Sequence, residues 1–185
     1  YITRYQNFVG CTFKNNTASL GGALSLYSSN KDYENGAIAT VTDCTFTSNT
    51  AAAPASQAAA SYGGAIYVER KSSLTLKDSI FNKNTARTEG GAIYAGGAST
   101  ISISDTNFKQ NAILERGKQG GAISIHSVTL DLNGVNFTSN TAQINGGALY
   151  ISYASAFDRN SVVQSVQRVW DTADEWLLSL GYRRG

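Results

Sequence analysis

Methionine is absent from this 185-residue chain, proline and histidine occur once each, and cysteine and tryptophan twice each. Two cysteines, Cys11 and Cys44, are too few to staple a disulfide-built mini-domain. A single histidine leaves no clustered Cys/His set of the kind that holds zinc. The net charge of +2 comes without any basic run, so nothing points to a nucleic-acid partner. No apolar stretch nears the roughly 18–20 residues needed to span a bilayer. Neither a phosphate-binding glycine loop nor a nucleophile elbow is present, and no cofactor is implied. The chain opens at Tyr1 without a signal-like apolar region, which reads as a mature or excised piece whose targeting segment has been removed.

What the chain has in quantity is self-similarity. Five copies of Gly-Gly-Ala-Ile/Leu begin at Gly21, Gly63, Gly90, Gly120 and Gly146. Six copies of Phe-x-x-Asn begin at Phe13, Phe46, Phe81, Phe108, Phe137 and Phe157. Repetition at a period of roughly 20–50 residues marks a stacked repeat architecture. Within one unit, Gly90 to Asn111, a strand starts at Ile93, Ile101 and Ile103 alternate with Ser102 in a second, and Thr106-Asn107-Phe108 makes a third. Leu74 and Leu76 precede Phe81 as Leu130 and Leu132 precede Phe137, so equivalent strands recur in every copy. Equivalent strands stacked in parallel at about 4.8 Å make a coil. Parallel crossovers are overwhelmingly right-handed. The expected fold is therefore an all-β, right-handed parallel β-helix, with three short strands per rung and about five to six rungs.

In that fold the glycines turn corners, the alanine fits a tight turn, and the phenylalanines stack inward. The asparagines take left-handed turn geometry and bond above and below as an amide ladder. Residues 1–160 form the coil. Loops at Ser28–Gly36, Ala51–Tyr62 and Ala112–Gln119 protrude from it, as recognition surfaces or as neutral variation in length. Residues 161–181 read as an amphipathic helix, and 182–185 as a tail. Val166, Trp170, Trp176 and Leu177 lie on one arc of that helix, which either caps the coil end or docks on a partner. The amino-terminal end shows no comparable cap, so further rungs or other protein subunits are expected against it.

Both motifs, from Phe13 to Asn160, resemble the repeats of the chlamydial polymorphic membrane protein family, which are defined by GGAI and FxxN. The resemblance implies a β-helix of the pectin-lyase-like type. It also implies a cell-surface adhesin whose β-helical passenger binds host cells.

Candidate chemistry is sparse. The strand after each Gly-Gly-Ala presents Ser25, Tyr67, Tyr94, Ser124 and Tyr150 outward, then Tyr27, Glu69, Gly96, His126 and Ser152. Glu69 and His126 fall two rungs apart, about 10 Å between backbones, which is long for a catalytic pair. Tyr67, Tyr94 and Tyr150 are candidates for binding carbohydrate or a partner, or form a plain stacking ladder. Asp43, Asp78 and Asp105 share a column that could hold calcium, but aspartate is also a standard turn former, and the turn reading is preferred. Cys11 and Cys44 sit in adjacent rungs, as buried thiols in preference to a disulfide. Asn15 and Asn136 head glycosylation sequons and should point outward. The combined expectation is a non-enzymatic, extracellular structural or adhesin-like β-helix in a stalk, filament or coat. The alternative is a carbohydrate-binding module or a carbohydrate-active enzyme such as a polysaccharide lyase or hydrolase.

Overall fold

The computed structural model describes residues 5–27, 36–53, 61–115 and 119–152. Short strands in this chain do not pair with their sequence neighbours. Each pairs in parallel with its equivalent one repeat away. The first sheet stacks Tyr5–Val9, Ile38–Thr42, Ser73–Lys77, Thr100–Ser104 and Thr129–Asn133. The second stacks Thr12–Lys14, Thr45–Thr47, Ile80–Asn82, Asn107–Lys109 and Asn136–Thr138. The third contains two-residue strands, Thr17–Ala18, Thr50–Ala51, Thr85–Ala86 and Ala112–Ile113. The fourth follows the glycine corner, with Leu24–Leu26, Ile66–Val68, Ile93–Ala95, Ile123–His126 and Leu149–Ser152. The result is a right-handed parallel β-helix of about four turns with four strands in each.

Two sequence expectations are corrected here. Each turn holds four strands where three were expected, and about four turns are described where five to six were expected. The extra strand begins directly after Asn16, Asn49, Asn84 and Asn111, for example at Thr50–Ala51 and Ala112–Ile113. Of these residues, Ala51 and Ala112–Ile113 fall in segments expected to protrude as loops. Two residues are too few to display a period-two pattern, but pairing with the turn above and below defines them as strand. Among the described residues there is no helix. Val166, Trp170, Trp176 and Leu177 lie outside the described residues, as do Phe157, Asn160, most of the first two loops and residues 116–118 of the third.

The register explains the core. Phe13, Phe46, Phe81, Phe108 and Phe137 pair rung to rung. Their rings stack at centroid separations of 4.7, 4.5, 4.8 and 5.2 Å. Phe46, Phe81 and Phe108 are fully buried, and burying such a side chain stabilises by about 1.5–3 kcal/mol. Across the lumen, alternation in the first sheet sends Leu74, Leu76, Ile101 and Ile103 inward against them.

A second internal ladder runs through the FxxN asparagines. Asn84 Nδ2 donates to Asn111 Oδ1 and to the Phe46 carbonyl, both at 3.0 Å. Its Oδ1 accepts from the backbone N–H and the side-chain amide of Asn49, again at 3.0 Å. The ladder is as expected, but the left-handed backbone falls elsewhere. Positive φ occurs one residue earlier, at Asn15, Ser48, Lys83, Gln110 and Ser139. The turn is made by an outward residue so that the asparagine amide can face inward.

The glycine pair does two different jobs. Gly90 has φ +64°, the left-handed region that side chains disfavour. Gly91 has ordinary angles, but a Cβ there would collide with the carbonyl of Gly121 in the next turn. Ala65, Ala92 and Ala122 follow, fully buried.

Candidate functional site

The outer face of the fourth sheet concentrates the polar chemistry of the described residues. Register places Ser25, Tyr67, Tyr94, Ser124 and Tyr150 in one column. Tyr67 and Tyr94 stack at 5.5 Å with planes 7° apart. Tyr62 lies in the turn that also holds Tyr67 and stacks on Tyr94 at 4.6 Å. His126, one turn on, lies 5.5 Å from Tyr94 and 5.7 Å from Tyr150. Tyr94 therefore has ring neighbours in both adjacent turns. Tyr67 is only 5% exposed, and its hydroxyl donates to the Glu69 carboxylate. Burial first, then the Glu69 hydrogen bond, pushes the Tyr67 hydroxyl well above the usual tyrosine range. Burial, then the nearby Glu89 and Glu69 charges, does the same to Tyr94.

Glu69 and His126 are not brought together. Glu69 is engaged by Tyr67, and Gly96 separates the two turns. His126 instead bonds a residue that sequence reasoning passed over, Glu89. His126 Nε2 lies 2.5 Å from Glu89 Oε2, and the same oxygen accepts from Ser124 Oγ at 2.8 Å. On the far side of the ring, His126 Nδ1 is 3.1 Å from Ser152 Oγ. A carboxylate can only accept, so Nε2 carries a hydrogen, and whenever the ring is neutral Nδ1 is the acceptor facing Ser152. The cluster is partly open, with the His126 and Glu89 side chains 29% and 18% exposed. Glu89 could have been found through the column just before the glycine pair. Leu20, Tyr62, Glu89 and Gln119 occupy that column and form bridges turn to turn.

Next to this face, Glu69, Arg70, Lys71 and Gly97 line an open cavity of about 490 Å³. Arg70 and Lys71 both take positive φ there, and the Arg70 guanidinium sits 4.1 Å over the Tyr27 ring.

The remaining candidates fall on other faces. Cys11 and Cys44 are adjacent free thiols, Cys11 half-buried and Cys44 buried, and burial raises the Cys44 thiol. The Cys11 N–H donates to Cys44 Sγ at 3.3 Å, as the Cys44 N–H does to Ser79 Oγ at 3.1 Å. Asp43, Asp78 and Asp105 all have positive φ, between 48° and 53°. They are the corner residues of successive turns. Among the described residues no three His, Cys, Asp or Glu side chains are grouped to hold a metal. Asn15 is exposed at φ +57°. Asn136 is also exposed and donates to Asn107 Oδ1 at 3.1 Å. No helix of the described residues is long and apolar enough to cross a membrane.

Comparison with known proteins gives one finding of similarity. Residues 3–165 match the family described as "Right handed beta helix region". No curated protein and no solved structure matches the chain.

Proposed function

Because the chain belongs to the right-handed β-helix family, we propose that it serves as a non-enzymatic, extracellular structural element. It would be an adhesin-like segment of a surface stalk, filament or coat. One observation carries this reading: the repeated residues are used up on each other. Phenylalanine rings stack on phenylalanine rings, asparagine amides bond asparagine amides, and the outer tyrosines stack along their own column. A sugar-binding platform needs exposed ring faces, whereas Tyr67 and Tyr94 lie face to face. The GGAI and FxxN resemblance to surface adhesins supports the same reading, as do exposed sequons at Asn15 and Asn136. Partners, whether protein subunits or glycans, would then be met by the loops and ends of the coil.

The test is incubation with a panel of acidic polysaccharides, combined with surface labelling of the source cells. No depolymerisation and a surface signal are expected. Chain cleavage would overturn the reading, and binding without cleavage would favour a carbohydrate-binding module.

A further inference from the structure

Ser152, His126 and Glu89 form a hydrogen-bonded line that the structural reading leaves unused. We propose that Ser152 is an activated nucleophile that takes up an acyl group from an ester, with His126 as its general base and Glu89 as the positioning residue. This goes beyond a scaffold role by adding one reactive hydroxyl to the coil.

The argument rests on three contacts. Glu89 Oε2 fixes His126 Nε2 at 2.5 Å, so the ring keeps its hydrogen on that nitrogen. The opposite nitrogen, Nδ1, then points a lone pair at Ser152 Oγ, 3.1 Å away. That is hydrogen-bond reach for proton abstraction, with the base oriented by a third group. Glu89 is itself held, because fully buried Ser124 donates to the same oxygen at 2.8 Å. A carboxylate that already accepts a second hydrogen bond is pinned in place, which preserves the tautomer. The four residues come from three consecutive turns, so parallel stacking alone assembles the line.

The rings of Tyr94 and Tyr150 bracket His126 at 5.5 and 5.7 Å. They hold the ring in place, and an activated phenyl ester, whose leaving oxygen departs readily, is the substrate class that reads the nucleophile out. In the step itself, Ser152 Oγ attacks the ester carbonyl carbon as its proton passes to His126 Nδ1. The carbonyl-to-leaving-oxygen bond then breaks, and His126 returns the proton to the departing oxygen. The products are acyl-Ser152 and the free phenol.

The experiment uses the full chain with p-nitrophenyl acetate and a fluorophosphonate probe, read by mass spectrometry of the modified peptide. Label is expected on the Ser152 peptide and not on Ser102 of the first sheet. Ser152→Ala should abolish it. His126→Gln should slow it by about 10²-fold or more, the usual contribution of a general base. Glu89→Gln should also slow labelling, and nitrogen NMR of His126 should then show the hydrogen shared between both ring nitrogens. Circular dichroism verifies that each variant keeps its β signature. Should Ser152→Ala fail to fold, the His126→Gln rate and the labelled peptide in the parent chain decide. Labelling no faster than in the urea-unfolded chain, or unaltered in His126→Gln, would overturn the proposal. Stoichiometric acylation fits an acyl acceptor on a structural coil. Repeated turnover would uphold the nucleophile and refute the non-enzymatic reading.

Discussion

Asn49, Asn84 and Asn111 are each a junction between three turns. The Asn84 side chain donates two hydrogen bonds and accepts two, all without solvent, since the residue is fully buried. Replacing it by leucine keeps the volume but removes the acceptor of the Asn49 backbone N–H and the donor to the Phe46 carbonyl, while Asn111 Oδ1 keeps only the Asn84 backbone N–H. A buried polar group left unsatisfied costs about 1–3 kcal/mol. Asn84→Leu should therefore destabilise by about 3 kcal/mol or more in urea denaturation, against about 0.5 kcal/mol or less for exposed Thr75→Ala. Equal effects from the two would mean the ladder is decorative. The outer tyrosines give a pH signature instead. Tyr67 and Tyr94 stay protonated in the fold past the ordinary value of 10.0, because burial raises both. Below about pH 10 folded and unfolded states bind the same protons there, so no stability is lost. Above it the unfolded chain ionises and the folded one does not, and stability falls as pH rises. Urea midpoints taken from about pH 8 to about pH 11 should show that decline, and Tyr67→Phe should make it shallower. An identical slope in the variant would remove Tyr67 from the explanation.

At the scale of the strand, position in the stack decides energy. Phe81 is sandwiched between Phe46 and Phe108 and fully buried, whereas Phe137 is only partly buried. Phe81→Ala should cost about 3–5 kcal/mol, and Phe137→Ala clearly less. A denaturant series that ranks them the other way would contradict end-to-end stacking as the organising term. Much of this was legible from sequence, because the GGA and FxxN columns and the Leu74/Leu76 alternation each leave a pattern longer than one strand. The fourth strand was not, since Thr85–Ala86 carries no period of its own and gains identity only from its partners. The Asn turn was misplaced by one residue for a related reason. Residue type alone suggested asparagine for positive φ, but Asn84 is required inside and Lys83 takes the strained angle. Glu89 escaped notice because its column varies in residue type, from Leu20 through Tyr62 to Gln119, and only geometry brings its carboxylate to His126.

For the whole molecule, the consequence of parallel stacking is that contact runs between neighbouring turns and hardly at all between distant ones. Stability is then close to a sum over turns and turn-to-turn interfaces. All four sheets share those turns, so residues far apart in one turn should open together while neighbours in one sheet should not. Leu74, Phe81, Ala86 and Ile93 belong to four different sheets and close to one level of the stack. Hydrogen exchange should group their amides in one protection class. Among the described residues Tyr5–Val9 has a partner strand on one side only and is largely exposed, so in this chain it should exchange faster than Ser73–Lys77 in the same sheet. Phe81→Ala should lower protection most in its own level and the two beside it, and progressively less beyond. Protection that sorts by sheet, with Tyr5–Val9 as slow as Ser73–Lys77, would mean the coil opens by peeling whole sheets. The one-dimensional account of its stability would then be wrong.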